Sequence, residues 1–153
     1  MDISQILSGS FQDHEFYLQS ITRKDRVVKD TPGLKHQKGL DILGGAVLDF
    51  CIFTRFFTPE NSESKYYEKK RMKYGNIETL QKLSRDYLRL DEAVLWSTNE
   101  KNQRIWEKKG SVTLAECFKA IIGGLYRDGG IPAVERFLGK IDFYRSIDTL
   151  KSR

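Results

Sequence analysis

The segment Leu40-Asp-Ile-Leu-Gly-Gly-Ala-Val-Leu-Asp49 lies in a long apolar stretch that decides the predicted fold. Apolar residues recur in this stretch at spacings of four, three and seven residues, which is the repeat of an α-helix. These residues are Leu43, Val47, Phe50 and Phe57. We predict a helix from about Lys38 to Phe57, and because it is apolar on several faces, it should be a central, buried helix.

The rest of the chain shows further helical segments separated by turn residues. Helices are predicted from Asp13 to about Thr22, Tyr66 to Lys73, Ile77 to about Tyr87, Leu90 to Trp96, Leu114 to about Arg127, and Pro132 to about Phe143. Asp128-Gly-Gly130 has the chemistry of a helix end. The polar residues 98–109 are expected to form a surface loop or a frayed helix. No segment alternates as a half-buried strand does, so the predicted fold class is all-α.

The composition fits one soluble, globular domain. The chain has 153 residues, of which 31% are charged and 39% are apolar. No apolar run approaches the ~20 residues that a membrane-spanning helix needs, so no membrane partner is expected. The net charge of +5 and the pI near 9.2 favour polyanionic partners, RNA above all.

The two cysteines and the first residues bear on where the protein works. Cys51 and Cys117 lie in apolar segments and are expected to be buried free thiols in a reducing, intracellular compartment. The first residues show neither a signal pattern nor a transit pattern, so no targeting peptide is visible. We expect an intracellular location, with the mitochondrion or another organelle left open.

Two stretches together resemble the motifs of the ribonuclease III family. The segment 40–49 resembles the family's signature helix, L-E-x-L-G-D-A-V-L. Leu114-Ala-Glu-Cys-Phe-Lys-Ala-Ile-Ile-Gly-Gly-Leu-Tyr-Arg-Asp-Gly-Gly130 resembles its second acidic helix, A-D-x-F-E-A-x-I-G-A-x-Y-x-D-G-G. Between them, Gly75-Asn-Ile-Glu-Thr-Leu-Gln-Lys-Leu-Ser-Arg85 and Glu92-Ala-Val-Leu95 resemble the family's G-x-L-x-x-L-R-x-x-L-V-N-x-x-x-L-A region. The order and separation of the motifs also fit.

The resemblance implies a domain organisation. We expect a ribonuclease III-like helical domain at residues 15–143, an N-terminal extension at residues 1–14, and a C-terminal tail at residues 144–153. No separate double-stranded-RNA-binding domain is expected after residue 143, which is also the arrangement of the mini-ribonuclease III branch.

The resemblance further implies a magnesium site, but the residues that would build it are largely replaced. The family's reaction uses four carboxylates around Mg²⁺, a hard cation that prefers oxygen ligands. The matching positions here are Asp41, Gly45, Glu116 and Lys119. Two acids contribute −1 each and the lysine contributes +1, so these positions sum to −1 where the family pattern gives −4. We therefore expect no catalytic residue, no metal ligand and no cofactor, and Mg²⁺ only if the chain is an enzyme after all.

Each of these positions also has a structural interpretation. Asp41 and Glu116 would be helix-surface acids, and Gly45 would be a close-packing position beside Gly44. Lys119 could pair with Asp41 or Glu116 and replace the metal as an internal counter-ion. Asp49 lies one helical turn beyond Gly45, but it is not expected to supply the missing ligand.

Two surfaces are predicted to meet partners. Phosphate groups of structured RNA, double-stranded or ribosomal, are expected to contact two basic segments. Their residues are Lys65, Lys69, Lys70, Arg71 and Lys73 in the first segment, and Lys101, Arg104, Lys108 and Lys109 in the second. The resemblance also implies dimerisation with another ribonuclease III-like subunit, a copy or a paralogue. The interface residues would be Ile42, Val47, Phe50, Phe53 and Phe57.

Three functions are compatible with these features. The first is a catalytically inactive ribonuclease III-like domain that serves as a structural, RNA-binding and dimerising component of a ribonucleoprotein, such as a mitochondrial ribosome or an RNA-processing complex. The second is a divergent mini-ribonuclease III that cleaves double-stranded or ribosomal RNA with Mg²⁺. The third is a protein-interaction subunit that pairs with another ribonuclease III-like chain. Gly45 and Lys119 favour the first hypothesis over the second.

Overall fold

A computed structural model of the chain describes residues 1–151, and most of them are helical. The α-helices in this range are α1 (Ile3–Ser10), α2 (His14–Ile21), α3 (Lys24–Lys29), α4 (Leu40–Phe56), α5 (Ser64–Gly75), α6 (Ile77–Lys82), α7 (Thr98–Gln103), α8 (Thr113–Lys140) and α9 (Phe143–Lys151). The described residues contain no β-strand; Thr22 and Leu95 form an isolated bridge. The predicted all-α class is therefore confirmed. Within residues 1–151, no helix is both long enough and apolar enough to cross a membrane.

The centre of the fold is the crossing of α4 and α8. Glycines make this crossing close: a Cβ atom built on Gly44 would lie 1.6 Å from the carbonyl oxygen of Lys119. One built on Gly123 would lie 2.2 Å from the carbonyl oxygen of Leu40. Because the two backbones touch here, neither position has room for a side chain. The crossing brings the N-terminal halves of the two helices, and with them the two motifs, side by side.

Helix α8 breaks where the sequence predicts. Asp128-Gly-Gly130 was expected to end one helix before another begins at Pro132, and α8 consists of two helical stretches that meet at a kink at Gly130, whose φ of 71° and ψ of −166° are not helical. The carboxylate of Asp128 accepts hydrogen bonds from the backbone N–H groups of Gln12 and Asp13, at 2.8 and 2.9 Å. Asp128 thus ties the start of α2 to the middle of α8.

Part of the segment between α6 and α8 departs from the prediction. The helix expected to reach Tyr87 changes at Leu83 into a π-helical turn. The helix predicted from Leu90 to Trp96 is wrong, because only a single 3₁₀ turn forms at its start. Of the two structures predicted for residues 98–109, a surface loop or a frayed helix, the second is closer, because the segment contains the short helix α7, which the capping box of Ser97 and Glu100 begins.

The first and the last helix of the described residues pack against the core. In α1, Ile3 and Leu7 are buried, and in α9, Ile147 and Leu150 are buried. These helices lie in the segments that the sequence assigned to an extension and a tail. Their burial places them within the same packed body as the central helices.

Candidate functional site

The two retained acids of the motifs lie around one pocket. Asp41 is in the first turn of α4 and Glu116 is in the first turn of α8. Both line a pocket of about 180 Å³, whose other lining residues are Arg23, Lys24, Gln37 and Lys38. The Oδ1 atom of Asp41 accepts a hydrogen bond from the backbone N–H of Gly39 at 3.0 Å. Among the described side chains, neither acid has an ion-pair partner within 4.0 Å.

The other two motif positions form a separate contact. A Cβ atom built on Gly45 would meet Cδ and Cε of Lys119 at 3.6 and 3.9 Å, which are ordinary van der Waals distances. The predicted close-packing role of Gly45 is therefore wrong, since that role belongs to Gly44. The aliphatic stem of Lys119 lies beside position 45, where the family motif has its second acid.

Lys119 is not the counter-ion that the sequence suggested. No ion pair within 4.0 Å joins it to Asp41 or Glu116 in the part of the chain that the structure describes, so the predicted pairing is wrong. Its charge acts on Asp49. Burial raises the pKa of the Asp49 carboxyl above its usual value, while the charges of Arg71 and Lys119 pull that pKa down. Burial has the larger effect, so the pKa stays raised.

The residues at this site do not fit a divalent cation. Two carboxylates can hold Mg²⁺ when phosphate and water supply further oxygens. Here, however, three basic side chains line the same pocket as the two acids. Two like unit charges about 4 Å apart cost roughly 4 kcal/mol at an effective dielectric constant of 20, and a divalent ion would suffer about twice that. Within residues 1–151, no three His, Cys, Asp or Glu side chains come together as candidate ligands.

One wall of the pocket is a buried polar network that sequence reasoning missed. The Nε and Nη2 atoms of Arg23 donate to Oε2 of Glu100 at 3.1 and 3.0 Å, and Nη1 donates to Oε1 of Gln37 at 3.3 Å. Glu100 and Gln37 are both buried. Gln37 in turn donates to the carbonyl oxygen of Ser20 at 2.8 Å. The capping-box spacing of Ser97 and Glu100 is the one signal in the sequence that marks part of this network.

The predicted interface residues divide into two groups. Ile42, Phe50 and Phe57 are 75%, 54% and 68% exposed, and Phe53 is half-buried beside them. The spacing of Ile42, Phe50 and Phe53 places them on one side of α4, and Phe57 follows directly after the helix, so these residues form an apolar stripe. The assignment of Val47 to the interface is wrong, because its side chain is only 7% exposed and belongs to the core of this chain.

The predicted phosphate-binding residues differ in their exposure and in whether they already have a partner within the chain. Lys65, Lys69, Lys101 and Lys109 are exposed. Others already have partners inside the chain: Arg71 pairs with Glu68 at 2.8 Å, Lys73 with Asp148 at 2.9 Å, and Arg104 with Glu107 at 2.5 Å, while Lys108 donates to Gln103 at 2.9 Å. The remaining residue, Lys70, lies over two aromatic rings.

Comparison with known proteins places this arrangement in a family. A family model described as Ribonuclease-III-like matches residues 14–143. Curated relatives named Ribonuclease 3 include one from Oleidesulfovibrio alaskensis, 27% identical over 133 residues, and one from Ectopseudomonas mendocina, 30% identical over 159 residues. These alignments cover 86% and 95% of this chain, but the chain spans only 56% and 62% of those relatives.

A solved structure shows the same fold. The nuclease domain of ribonuclease III from Campylobacter jejuni, in a structure that shows flexibility in a region involved in dimer formation, superposes with a TM-score of 0.70 at 23% sequence identity. The superposition covers 92% of this chain and 93% of that domain. A second structure of that nuclease domain gives a TM-score of 0.68. The chain therefore belongs to the ribonuclease III-like family, and it has the all-α fold of the ribonuclease III nuclease domain.

Proposed function

We propose that this chain is a catalytically inactive ribonuclease III-like domain that binds structured RNA and pairs with another such domain as a structural part of a ribonucleoprotein. The observation that carries the proposal is the charge at the motif positions. Asp41 and Glu116 share their pocket with Lys24, Lys38 and the Arg23 that pairs with Glu100, so with that ion pair counted as neutral the charges around the pocket sum to 0. Lys119 and Gly45 lie together where the family pattern has two further acids.

Cleavage assays test the inactivity directly. A long double-stranded RNA incubated with the protein and Mg²⁺ or Mn²⁺ is expected to stay intact. If cleavage occurs, the Asp41→Ala and Glu116→Ala variants show whether this protein causes it, because neither substitution would change cleavage by a contaminating nuclease. Cleavage that either substitution abolishes would overturn the inactive assignment.

That outcome would favour the second candidate function, a divergent endoribonuclease of the mini-ribonuclease III type. One observation supports it: the two retained acids line the same pocket on the first turns of α4 and α8. The relatives that match the chain are also named Ribonuclease 3. The cations in the pocket weigh against it, because they oppose the metal on which such a reaction depends.

Pairing with another ribonuclease III-like domain is supported by the apolar stripe on α4. Large apolar side chains exposed in one continuous patch mark interaction sites. Ile42→Asp is expected to weaken self-association or recovery of a ribonuclease III-like partner, because an unpaired carboxylate in an apolar contact is costly. Ile77→Asp is the matched control, since it makes the same change at an exposed isoleucine outside the stripe. A protein that is monomeric in analytical ultracentrifugation and recovers no such partner from cells would refute the pairing.

RNA binding is supported by the net charge of +5 and by the exposed lysines of the two basic segments. Affinity is expected to be similar for unrelated duplexes and to fall steeply with salt, with a slope near −0.9 per neutralised phosphate. Absence of binding to any structured RNA at low salt would instead favour the third candidate, a subunit that only pairs with another protein.

A further inference from the structure

Two basic side chains, Arg55 of α4 and Lys70 of α5, lie on one cluster of aromatic rings. The guanidinium carbon of Arg55 is 4.0 Å from the centre of the Tyr144 ring and 5.8 Å from that of Phe56. The ammonium nitrogen of Lys70 is 4.6 Å from the centre of the same Phe56 ring and 5.6 Å from that of Tyr66. The two cations therefore share the Phe56 ring.

The rings beneath these cations are fixed by the fold. Phe56 stacks on Tyr74 with ring centres 5.2 Å apart, and Tyr144 meets Phe56 edge-on at 5.8 Å. The hydroxyl group of Tyr66 donates a hydrogen bond to the carbonyl oxygen of Phe56 at 3.0 Å. Helices α4, α5 and α9 all contribute to this cluster, so the cations rest on a surface that does not depend on one flexible segment.

Arg55 and Lys70 differ from the other basic residues near them. Across the described side chains, neither has a carboxylate within 4.0 Å. By contrast, Arg71 pairs with Glu68, and Lys73 pairs with Asp148 of α9. A ring attracts a cation through its negative face but accepts no conventional hydrogen bond from it. The N–H groups of both side chains consequently remain available to phosphate oxygens, and the planar guanidinium of Arg55 matches phosphate geometry particularly well.

From this arrangement we propose that Arg55 and Lys70, here termed the aromatic-held pair, form the main contact of this domain with the phosphate backbone of RNA. The assignment rests on the proposed RNA-binding function and locates its surface. Lys65 and Lys69 add exposed charge on a different face of the same helix. The two cations lie over the rings beneath them, so the surface presents positive charge to a partner.

Salt-dependent binding to a duplex RNA tests the proposal. Arg55→Gln/Lys70→Gln is compared with Arg136→Gln/Lys140→Gln, which removes two exposed cations from the far half of α8 and leaves the same net charge. The first double variant is expected to bind about tenfold more weakly at low salt and to flatten the salt slope by about 1.8, the value for two lost phosphate contacts. The control is expected to stay within about twofold of the wild type. Unchanged melting temperatures show that both variants are folded.

The outcomes separate this proposal from the function on which it rests. If the wild type binds the duplex and both double variants weaken binding equally, the aromatic-held pair is overturned and RNA binding stands. If the wild type binds no RNA at low salt, the proposed function fails, and the pair fails with it. If the Arg55→Gln/Lys70→Gln variant keeps its RNA affinity but loses binding to poly-L-glutamate, the surface belongs to an acidic protein segment, which also overturns the proposal.

Discussion

Gly44 and Gly45 are neighbours in α4, but replacing each by alanine is expected to have opposite effects on stability. At Gly44, the added Cβ atom would lie 1.6 Å from the carbonyl oxygen of Lys119 and 2.7 Å from the backbone nitrogen of Gly123. Both atoms belong to the backbone of α8, so no side-chain rotation can relieve the contact. At Gly45, the nearest atom is Cδ of Lys119 at 3.6 Å, a distance that needs no adjustment.

The magnitudes follow from this geometry. Alanine in place of glycine inside a helix gains about 0.5–1 kcal/mol, so Gly45→Ala is expected to raise the free energy of unfolding by that amount. Gly44→Ala has the same gain, but α4 and α8 must move apart by about 1.4 Å before the shortest contact reaches 3.0 Å. Forcing extra atoms into a packed core costs about 1–3 kcal/mol and occasionally more. A backbone clash at the central crossing belongs at the upper end, about 3 kcal/mol, and subtracting the gain of about 0.5–1 kcal/mol leaves an expected net loss of about 2–2.5 kcal/mol.

Urea titration and thermal melting, followed by far-UV circular dichroism at one protein concentration, measure both effects. A change of 1 kcal/mol shifts the midpoint by about 2–4 °C in a protein of this size. The Gly44→Ala variant is therefore expected to melt roughly 4–10 °C below the wild type, and the Gly45→Ala variant slightly above it. Equal midpoints for Gly44→Ala and the wild type would refute the close crossing of α4 and α8. A large loss at Gly45 would refute the placement of the Lys119 stem beside an open position.

Three further predictions concern buried groups. Burial raises the pKa of Cys51 and Cys117 to about 12, so iodoacetamide at pH 8 should label neither thiol in the folded protein; rapid labelling seen by mass spectrometry would contradict this. Burial also raises the pKa of the Asp49 carboxyl. The contribution of this carboxyl to the stability of the protein is therefore fully present in acid, and it is lost as the pH rises through that pKa. Asp49→Asn should therefore be more stable than the wild type at pH 7 in urea titrations, and this advantage should vanish below pH 3.8; an advantage that persists in acid would exclude burial as its cause. Glu100→Ala leaves the half-buried Arg23 guanidinium without its carboxylate and should cost about 3 kcal/mol, whereas near-normal stability would show that this ion pair is dispensable.

Local sequence information was sufficient for the helices whose residues show a clear apolar repeat. The prediction for α4 is within two residues of the observed ends, because apolar residues three and four apart define a helix face wherever it packs. The local chemistry of a helix end also located the break at Gly130 between the two stretches of α8. The same reasoning failed at Leu90 to Trp96, where only a 3₁₀ turn forms, because the backbone N–H of Leu95 donates to the carbonyl oxygen of Ile21 in a distant segment instead of continuing a helix.

The sequence alone determined the fold class, the family motifs and the four positions where the motifs place acids. It also determined that these positions carry a lysine and a glycine instead of two carboxylates. Only the tertiary structure decided that Gly44 is the close contact, and that the Lys119 charge acts on Asp49. Only the tertiary structure decided which basic residues line the pocket of Asp41 and Glu116. A helical repeat depends on neighbours three and four residues away, whereas the crossing of α4 and α8 and the surroundings of each charge depend on residues far apart in the chain.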